Sequence, residues 1–191
     1  MRDILKLGFI LLAYSLIAGI ALAYVNIKTK PTIAENKSAS ENNAREEVLP
    51  GMEGGFEVKG EDSDFPYWIG YIDNSKTQIG GYVFIAKEKG YSSVVETMVG
   101  VDNEGKINGI KVLSQQETPG LGTKIVEIRH GDTEPWFYKQ FTGKNASDNI
   151  MVTKDGGNIE AITGATITPR AVTSSINKGL NRLKEATGIG S

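Results

Sequence analysis

Residues 160–170 read Glu160-Ala161-Ile162-Thr163-Gly164-Ala165-Thr166-Ile167-Thr168-Pro169-Arg170, and this stretch leads directly into a helical pattern. Thr168 is a typical N-cap residue, and Pro169 suits the first helical position, where a missing backbone N–H costs nothing. Apolar residues then recur at helical spacing, at Val172, Ile176, Leu180 and Leu183. The sequence therefore predicts a helix over about 169–186, with Thr166 just outside its N-terminus.

A helix N-terminus at this point favours an anionic ligand. The first turn of a helix leaves backbone N–H groups unpaired, and the positive end of the helix dipole lies there. Gly164 and Ala165 carry little side-chain bulk, so a flat or charged group could approach the backbone closely. Hydroxyl residues before helices are also common capping groups. The spacing alone therefore leaves two interpretations open, a ligand site and an ordinary strand-to-helix turn.

Two motifs give this chain a resemblance to a known family. Thr163-Gly164-Ala165-Thr166 resembles the flavinylation motif of the FMN-binding domain family, in which FMN is esterified through its phosphate to the last threonine of a Ser/Thr-Gly-Ala-Thr tetrad. A second segment, Glu117-Thr118-Pro119-Gly120-Leu121-Gly122, is similar to the family's other flavin-side loop. Together with the N-terminal apolar segment, the resemblance covers nearly the whole chain and extends to the G subunits of the Rnf complex. One position departs from the pattern, since Glu160 stands where the family usually has Asp.

The resemblance implies a specific cofactor site. Thr166 would carry FMN as a phosphoester, surrounded by Thr163, Gly164 and Ala165. The family also implies that the loop 117–122 covers the flavin ring, with Leu121 in contact, and that a separate metal-dependent flavin transferase makes the ester. A threonine hydroxyl is a weak nucleophile without a base, which fits the need for a transferase. We expect backbone N–H groups near Ile167, Thr168 and Arg170 to offset the phosphate charge, and Arg170 to add a charge-assisted bond.

Composition excludes several other kinds of chemistry. The net charge of -2 gives no electrostatic support for binding nucleic acid. With no Cys and one His, the chain cannot by itself ligate an ordinary iron–sulfur cluster or build a Cys/His zinc site. No acid–base pair or nucleophile triad stands out, so we expect neither catalytic residues nor metal ligands. An organic cofactor is the main option left for a chain that carries electrons.

The N-terminal segment is apolar enough to cross a membrane. Leu7 to Ile27 contains no charged residue, and about 20 residues cross the roughly 30 Å hydrocarbon core. We therefore expect residues 1–30 to form a transmembrane anchor in the lipid bilayer. A secretory signal peptide is the competing interpretation, because Ala21-Leu22-Ala23 has a cleavage pattern, but its apolar core is usually only about 7–15 residues long.

The orientation of this anchor does not follow from charge. Arg2 and Lys6 precede the apolar run, while Lys28 and Lys30 follow it, so the positive-inside rule does not decide. The resemblance implies a single-pass protein of the cell membrane with its N-terminus in the cytoplasm and its C-terminal domain outside.

The rest of the chain predicts an α+β fold, a small antiparallel sheet flanked by helices. We expect a juxtamembrane helix or linker over 31–49 and the FMN-binding domain over 50–191, starting at the breaker Leu49-Pro50-Gly51. Alternating or continuous apolar runs predict strands near 65–72, 82–86, 93–101 and 107–113. A short helix is expected over 123–129, core aromatic residues over 136–141, and a last hairpin that pairs 150–153 with 158–162.

The functional expectation follows from the resemblance. It implies an electron-transfer subunit of a membrane ion-translocating ferredoxin:NAD oxidoreductase (Rnf), which relays electrons through covalent FMN outside the cytoplasm and acts with the other membrane and peripheral subunits. The C subunit of the Na⁺-translocating NADH:quinone reductase is a rival, because it resembles the same domain and anchor. A membrane-tethered binding module without cofactor and, if Ala21-Leu22-Ala23 is cleaved, a secreted FMN shuttle are the others.

Overall fold

The computed structural model describes residues 1–61 and 63–190, and the chain divides into two compact units, Met1–Glu41 and Asn42–Ser191. Helix α1, Arg2–Val48, contains all but the first residue of the first unit. Its N-terminal part is long and apolar enough to cross a membrane, and the apolar side chains there are exposed. The helix continues through Pro31, so residues 31–48 are helical, as one of the two interpretations of this segment predicts.

The second compact unit begins at Asn42 and so includes the last turns of helix α1. Ala44 and Val48, from the last turns of α1, are buried together with Leu49, Val83 and Met98. These residues form a small apolar cluster on one face of the sheet, and Asn108 Nδ2 donates to the Val48 carbonyl at 2.9 Å. The breaker at Leu49-Pro50-Gly51 therefore ends the helix without marking the start of the compact unit, because the end of the helix supplies apolar cover for the sheet.

Five antiparallel strands form one sheet in sequence order, which confirms the predicted sheet type. The strands are β1 Gly55–Lys59, β2 Tyr67–Tyr71, β3 Ile79–Lys89, β4 Val94–Asp102 and β5 Ile107–Ser114. Strands β4 and β5 match their expected bounds closely, whereas β3 is longer than expected and β1 was not expected. The segment of β1 is short and only half-buried, and its alternation contains just two apolar residues, Phe56 and Val58.

Helix α2, Ile167–Thr187, packs on the other face of the sheet and closes the main core. The four apolar residues that predicted this helix are all buried, at Val172, Ile176, Leu180 and Leu183. Gly179 lets the helix approach strand β3, because a Cβ there would lie 2.1 Å from the ring of Phe84. The helix ends at Gly188 in the left-handed conformation, a common helix C-terminus.

The aromatic residues between the loop and helix α2 belong to this core, as expected. Trp136, Phe137, Tyr138 and Phe141 are all buried. Their polar atoms are satisfied, since Trp136 Nε1 donates to the Lys124 carbonyl at 3.1 Å and Tyr138 Oη accepts from Val112 N at 3.0 Å. Burial raises the pKa of Tyr138 to about 12, so its hydroxyl stays protonated. These rings act as packing groups that fix the segment after the loop 117–122.

Two expected elements differ in the structure. The short helix predicted over 123–129 is a 3-10 helix, Gly122–Val126, and only Gly122 and Ile125 are buried there. The predicted hairpin of 150–153 with 158–162 is wrong. A 3-10 turn, Thr153–Asp155, and a left-handed Gly156 reverse the chain instead, and Val152 makes one isolated parallel bridge with Ile159. Thr153 N donates to the Ile159 carbonyl at 2.8 Å and Ile159 N to the Met151 carbonyl at 3.0 Å, so the two segments meet in the parallel sense and do not form the expected antiparallel hairpin.

Candidate functional site

The two motifs singled out by the sequence meet at one groove. Its cavity has a volume of about 340 Å³. The residues that line it are Tyr91, Glu117, Thr118, Leu121, Gly122, Gly164, Ala165, Thr166, Ile167 and Thr168. The remaining predicted site residues, Pro119, Gly120, Thr163 and Arg170, adjoin these segments but do not line the cavity. The fold thus joins the loop after β5 to the start of helix α2, with Tyr91 from the β3–β4 turn at the edge.

The start of helix α2 differs from the prediction by two residues. The helix begins at Ile167, so Thr166 and not Thr168 occupies the N-cap position. Thr166 makes no side-chain capping bond, although its carbonyl accepts the first helical hydrogen bond from Arg170 N at 3.1 Å. Thr168 lies in the first turn instead. Pro169 is tolerated there because the N–H groups of that turn have no partner within the helix.

Glu117 is the buried centre of the site. Its side chain is only 4% exposed, and its carboxylate accepts hydrogen bonds from two other segments. Thr168 Oγ1 donates at 2.5 Å, and the backbone N–H groups of Tyr91, Ser92 and Ser93 each donate at 3.0 Å. One carboxylate therefore ties the β3–β4 turn, the loop 117–122 and the start of helix α2 together.

The charge of Glu117 is stabilised by these donors. Burial alone would raise the pKa of its carboxyl, but the hydrogen bonds from Thr168 and from the backbone of residues 91–93 outweigh burial and lower the pKa below its ordinary value. Two glycines make room for the carboxylate. A Cβ at Gly90 would lie 2.7 Å from Glu117 Oε1, and a Cβ at Gly122 would lie 2.6 Å from Thr168 Oγ1. Both oxygens of Glu117 thus point into the protein.

Thr166 lies in a different, more open environment. Its side chain is half-buried, and its Oγ1 accepts a hydrogen bond from Lys154 Nζ at 3.0 Å. Lys154 belongs to the 3-10 turn Thr153–Asp155. Arg170 is engaged nearby, since its Nε and Nη2 donate to the two oxygens of Asp155 at 2.6 and 2.7 Å. This bidentate contact lowers the pKa of the Asp155 carboxyl.

An apolar surface adjoins these polar groups. Leu121 is 41% exposed, and Ile167 and Tyr91 are exposed as well. Leu121 lies next to the Gly-Ala step, because a Cβ on Gly164 would lie 3.7 Å from its Cδ2. Gly164 has a φ of +79° and Gly120 a φ of +72°, a conformation that suits glycine. The groove therefore offers an apolar wall beside a hydroxyl and an ammonium group, which fits a ligand with a flat apolar part and an anionic end.

Sequence reasoning missed two residues of this site. Lys154 lies 12 residues before Thr166. The hairpin that was wrongly predicted around Asp155 gave no reason to expect Lys154 near Thr166. Tyr91 follows a glycine in a turn, and no motif marks it as a site residue.

Glu160, which stands where the family usually has Asp, is exposed and does not line the groove. Its backbone N–H donates to Gln140 Oε1 at 2.6 Å. Within residues 1–61 and 63–190, no cluster of three or more His, Cys, Asp or Glu side chains could hold a metal.

The family comparison first defines the class of protein. A family model described as an FMN-binding domain matches residues 90–181, which contain both loops and the start of helix α2. The chain thus combines an FMN-binding domain with an N-terminal apolar helix. A second model, described as the RnfG N-terminal region, matches residues 1–48.

Individual relatives then identify the family. The G subunit of the Na⁺-translocating ferredoxin:NAD⁺ oxidoreductase complex of Acetobacterium woodii is 36% identical over 196 residues, which cover 94% of this chain and 91% of that protein. The G subunit of the ion-translocating oxidoreductase complex of Shewanella amazonensis is 30% identical, with 94% and 87% covered. The chain belongs to the family of Rnf complex G subunits. Among solved structures, NqrC of Shewanella oneidensis matches with a TM-score of 0.48 and 21% identity over 69% of this chain and 70% of that one.

Proposed function

We propose that this chain is the electron-transfer G subunit of an ion-translocating ferredoxin:NAD oxidoreductase and that it carries FMN as a phosphoester on Thr166. The observation that carries the proposal is the position of the Thr166 hydroxyl. It lies at a groove built from both family motifs, within a domain that matches the FMN-binding family. The relatives' membership of such complexes supports the role in electron transfer.

The residues of the groove fit the parts of the cofactor. Thr166 supplies the oxygen for the phosphoester, and the N–H groups of the first turn of α2 face an anion favourably. Exposed Leu121, packed beside Gly164, supplies an apolar contact for the flavin ring. FMN supplies one- or two-electron chemistry when bound, while the protein provides its position and surroundings. Buried Glu117, through its bond to Thr168, holds the loop 117–122 against the start of helix α2.

We propose that a second protein attaches the cofactor, because a threonine hydroxyl is a weak nucleophile without a base and, among the described residues that line the groove, the one carboxylate, Glu117, is bonded to Thr168 and to residues 91–93. We propose a flavin transferase that uses a flavin dinucleotide as donor. In that transfer Thr166 Oγ1 loses its proton and bonds to the flavin-side phosphorus, the phosphoanhydride bond breaks, and the nucleotide monophosphate leaves. No electrons are exchanged in this step.

The proposed location rests on the N-terminal helix for the membrane anchor and on the family resemblance for the sidedness. We propose that residues 1–30 stay in the membrane as an anchor, which the candidate span and the match of residues 1–48 to the RnfG N-terminal region support. We further propose a cytoplasmic N-terminus and an extracytoplasmic FMN domain. A covalent bond has a physical advantage there, since FMN that dissociates outside the cell is not replaced. The other membrane and peripheral subunits of the complex are the proposed electron partners.

The assignment of Thr166 can be tested with two matched substitutions in one motif. Wild-type chain, Thr166→Val and Thr163→Val are each produced with a flavin transferase, denatured and separated, and flavin fluorescence of the protein band is measured. We expect fluorescence in the wild type and in Thr163→Val and none in Thr166→Val. Flavin that stays attached in Thr166→Val would overturn the assignment.

A control protein that is a known substrate of the transferase shows whether the enzyme is active in the same cells. If that protein is labelled and the wild-type chain is colourless, Glu160→Asp tests whether the longer acidic side chain blocks modification. A Glu160→Asp variant that also stays colourless would reject the flavin assignment in favour of a binding module without cofactor.

A further inference from the structure

We infer that Lys154, and not Arg170, is the cation that pairs with the phosphate attached at Thr166. The inference rests on the proposed function, because it concerns the phosphate of that same cofactor. It adds a cofactor-binding residue that neither motif contains, and it gives Arg170 a separate, positioning role.

The contact between Lys154 and Thr166 is the first argument. Lys154 Nζ lies 3.0 Å from Thr166 Oγ1, and Oγ1 is the atom to which the flavin phosphorus would be bonded. The unesterified oxygens of the phosphodiester are bonded to that same phosphorus, so they would lie within reach of a flexible lysine side chain. A phosphodiester carries one negative charge, so a single ammonium group can balance it. Lysine is a common phosphate partner that acts as a compact point charge.

The engagement of Arg170 is the second argument. Both of its contacts go to the carboxylate of Asp155, in a bidentate arrangement. Turning Arg170 towards a phosphate would break two charge-assisted hydrogen bonds and leave Asp155 without this partner. Lys154, in contrast, makes no ion pair with a carboxylate among the described parts of the chain, 1–61 and 63–190. Its charge is therefore available to a ligand.

The Arg170–Asp155 pair also explains how Lys154 is held in place. Asp155 follows Lys154 in the same 3-10 turn, and Arg170 lies in the first turns of helix α2. The ion pair therefore fastens the turn that carries Lys154 to the helix that follows Thr166. Arg170 acts through this turn as a positioning residue and does not itself touch the phosphate.

Lysine substitutions at two places test the inference. Wild type, Lys154→Met, Lys154→Arg and the control Lys178→Met, at an exposed lysine of helix α2 paired with Glu88, are treated with purified flavin transferase. Two quantities are measured: the initial rate of flavin attachment, and the difference in melting temperature between loaded and unloaded protein at low and high salt. Mass spectrometry of the intact chains confirms the loading.

We expect attachment to Lys154→Met to be slower by about tenfold, the size of one charge-assisted hydrogen bond. Loading should raise the melting temperature of the wild type more at low salt than at high salt, because salt screens an exposed ion pair. This salt-dependent difference in the rise of the melting temperature should be absent in Lys154→Met and present in Lys154→Arg and Lys178→Met.

Three results would overturn the inference. The first is a Lys154→Met variant that behaves as wild type in both measurements, and the second is failure of both Lys154→Arg and Lys154→Met to load. The third is an equal loss, in Lys178→Met, of the salt-sensitive part of the rise in melting temperature. A wild-type chain that takes no flavin is a different outcome, which rejects the proposed function itself. Melting temperatures of the unloaded variants show whether each one is folded.

Discussion

Thr166 and Thr168 lie two residues apart at the start of one helix, yet their hydroxyl groups have opposite surroundings. Thr168 is 1% exposed, and its Oγ1 donates to the buried carboxylate of Glu117 at 2.5 Å. Thr166 is half-buried, and its Oγ1 accepts from the flexible side chain of exposed Lys154. The inner hydroxyl is committed to the structure, whereas the outer one remains accessible to a reagent.

This difference shows how the fold can leave one hydroxyl group accessible without loosening the surrounding segments. The network around buried Glu117 joins three segments through donors from Thr168 and from the backbone of residues 91–93. The Lys154–Thr166 hydrogen bond lies at the surface and involves an exposed, flexible lysine side chain, so it can rearrange when a cofactor is attached, while the Arg170–Asp155 pair holds the turn in place. We therefore expect substitutions in the inner network to affect folding, and those at Thr166 and Lys154 to affect the cofactor.

The largest effect on stability is expected for Glu117→Gln. The amide cannot accept from all the donors that face the carboxylate, and its NH₂ group would point at one of them. Hydrogen bonds to a charged group contribute about 1.5–3 kcal/mol each, and unpaired buried donors add a penalty. We expect the free energy of unfolding to fall by about 3 kcal/mol in urea denaturation. Glu127→Gln, at an exposed glutamate of the same domain, should change it by less than about 0.5 kcal/mol.

The same variant should have a distinct pH profile. Because the folded-state pKa of Glu117 is lowered, its contribution is present above the unfolded pKa of about 4.3 and is lost as the pH falls through the folded pKa. The difference in unfolding free energy between wild type and Glu117→Gln should therefore shrink below about pH 4. A difference that stays constant down to acid pH would show that the charge of Glu117 does not contribute.

A smaller effect is expected when the space around the carboxylate is filled. In Gly122→Ala the new Cβ would lie 2.6 Å from Thr168 Oγ1 and 2.7 Å from Glu117 Cβ, so the loop or the helix must shift. Overpacking of this kind costs about 1–3 kcal/mol. The matched control is Gly109→Ala, where a Cβ would lie no closer than 3.5 Å to its nearest neighbour and φ, like that of Gly122, is not positive. Equal losses in the two variants would argue against close packing at Gly122.

Thr168→Val should have a still smaller effect on folding, because it removes one hydrogen bond and keeps the shape of the side chain. We expect a loss of about 1.5 kcal/mol in the free energy of unfolding, since the bond is made to a charged group. Flavin attachment should continue, because Thr166 is unchanged. A stability equal to that of the wild type would mean that the Thr168–Glu117 contact does not hold the helix start.

The smallest effect on stability is expected for Thr166→Val itself. Its hydroxyl makes one partly exposed contact, and such substitutions usually change stability by less than about 0.5 kcal/mol. Thermal unfolding of the unloaded proteins measures this directly. A loss as large as that of Thr168→Val would remove the distinction between an inner, structural hydroxyl and an outer, reactive one.

The sequence predicted those parts of the structure that depend on local pattern. The apolar spacing in 172–183 identifies helix α2, and the runs in β4 and β5 identify central strands. The exact helix start was wrong, because Thr168 resembles an N-cap residue locally. Its hydroxyl is taken by Glu117, 51 residues earlier in the chain, and no local pattern reports such a contact.

The site was predictable to a similar degree. The two motifs were expected to share a ligand, and the structure does place them along one groove. The role of Lys154 depends on how the chain reverses between 150 and 162, and a 3-10 turn with a left-handed glycine replaces the expected hairpin there. The pairing of Arg170 with Asp155 depends on that same reversal, so Arg170 could be named from the sequence, but its partner and the approach of Lys154 required the three-dimensional structure.

The most direct test of this account is to locate the flavin in two proteins, the wild type and Thr168→Val, after loading by the transferase. Each is digested, and the flavin-bearing peptide is fragmented by mass spectrometry to find the modified residue. The account predicts FMN on Thr166 in both proteins. Flavin on Thr163 or Thr168 in the wild type, or its loss in a folded Thr168→Val variant, would contradict the division between the two hydroxyl groups.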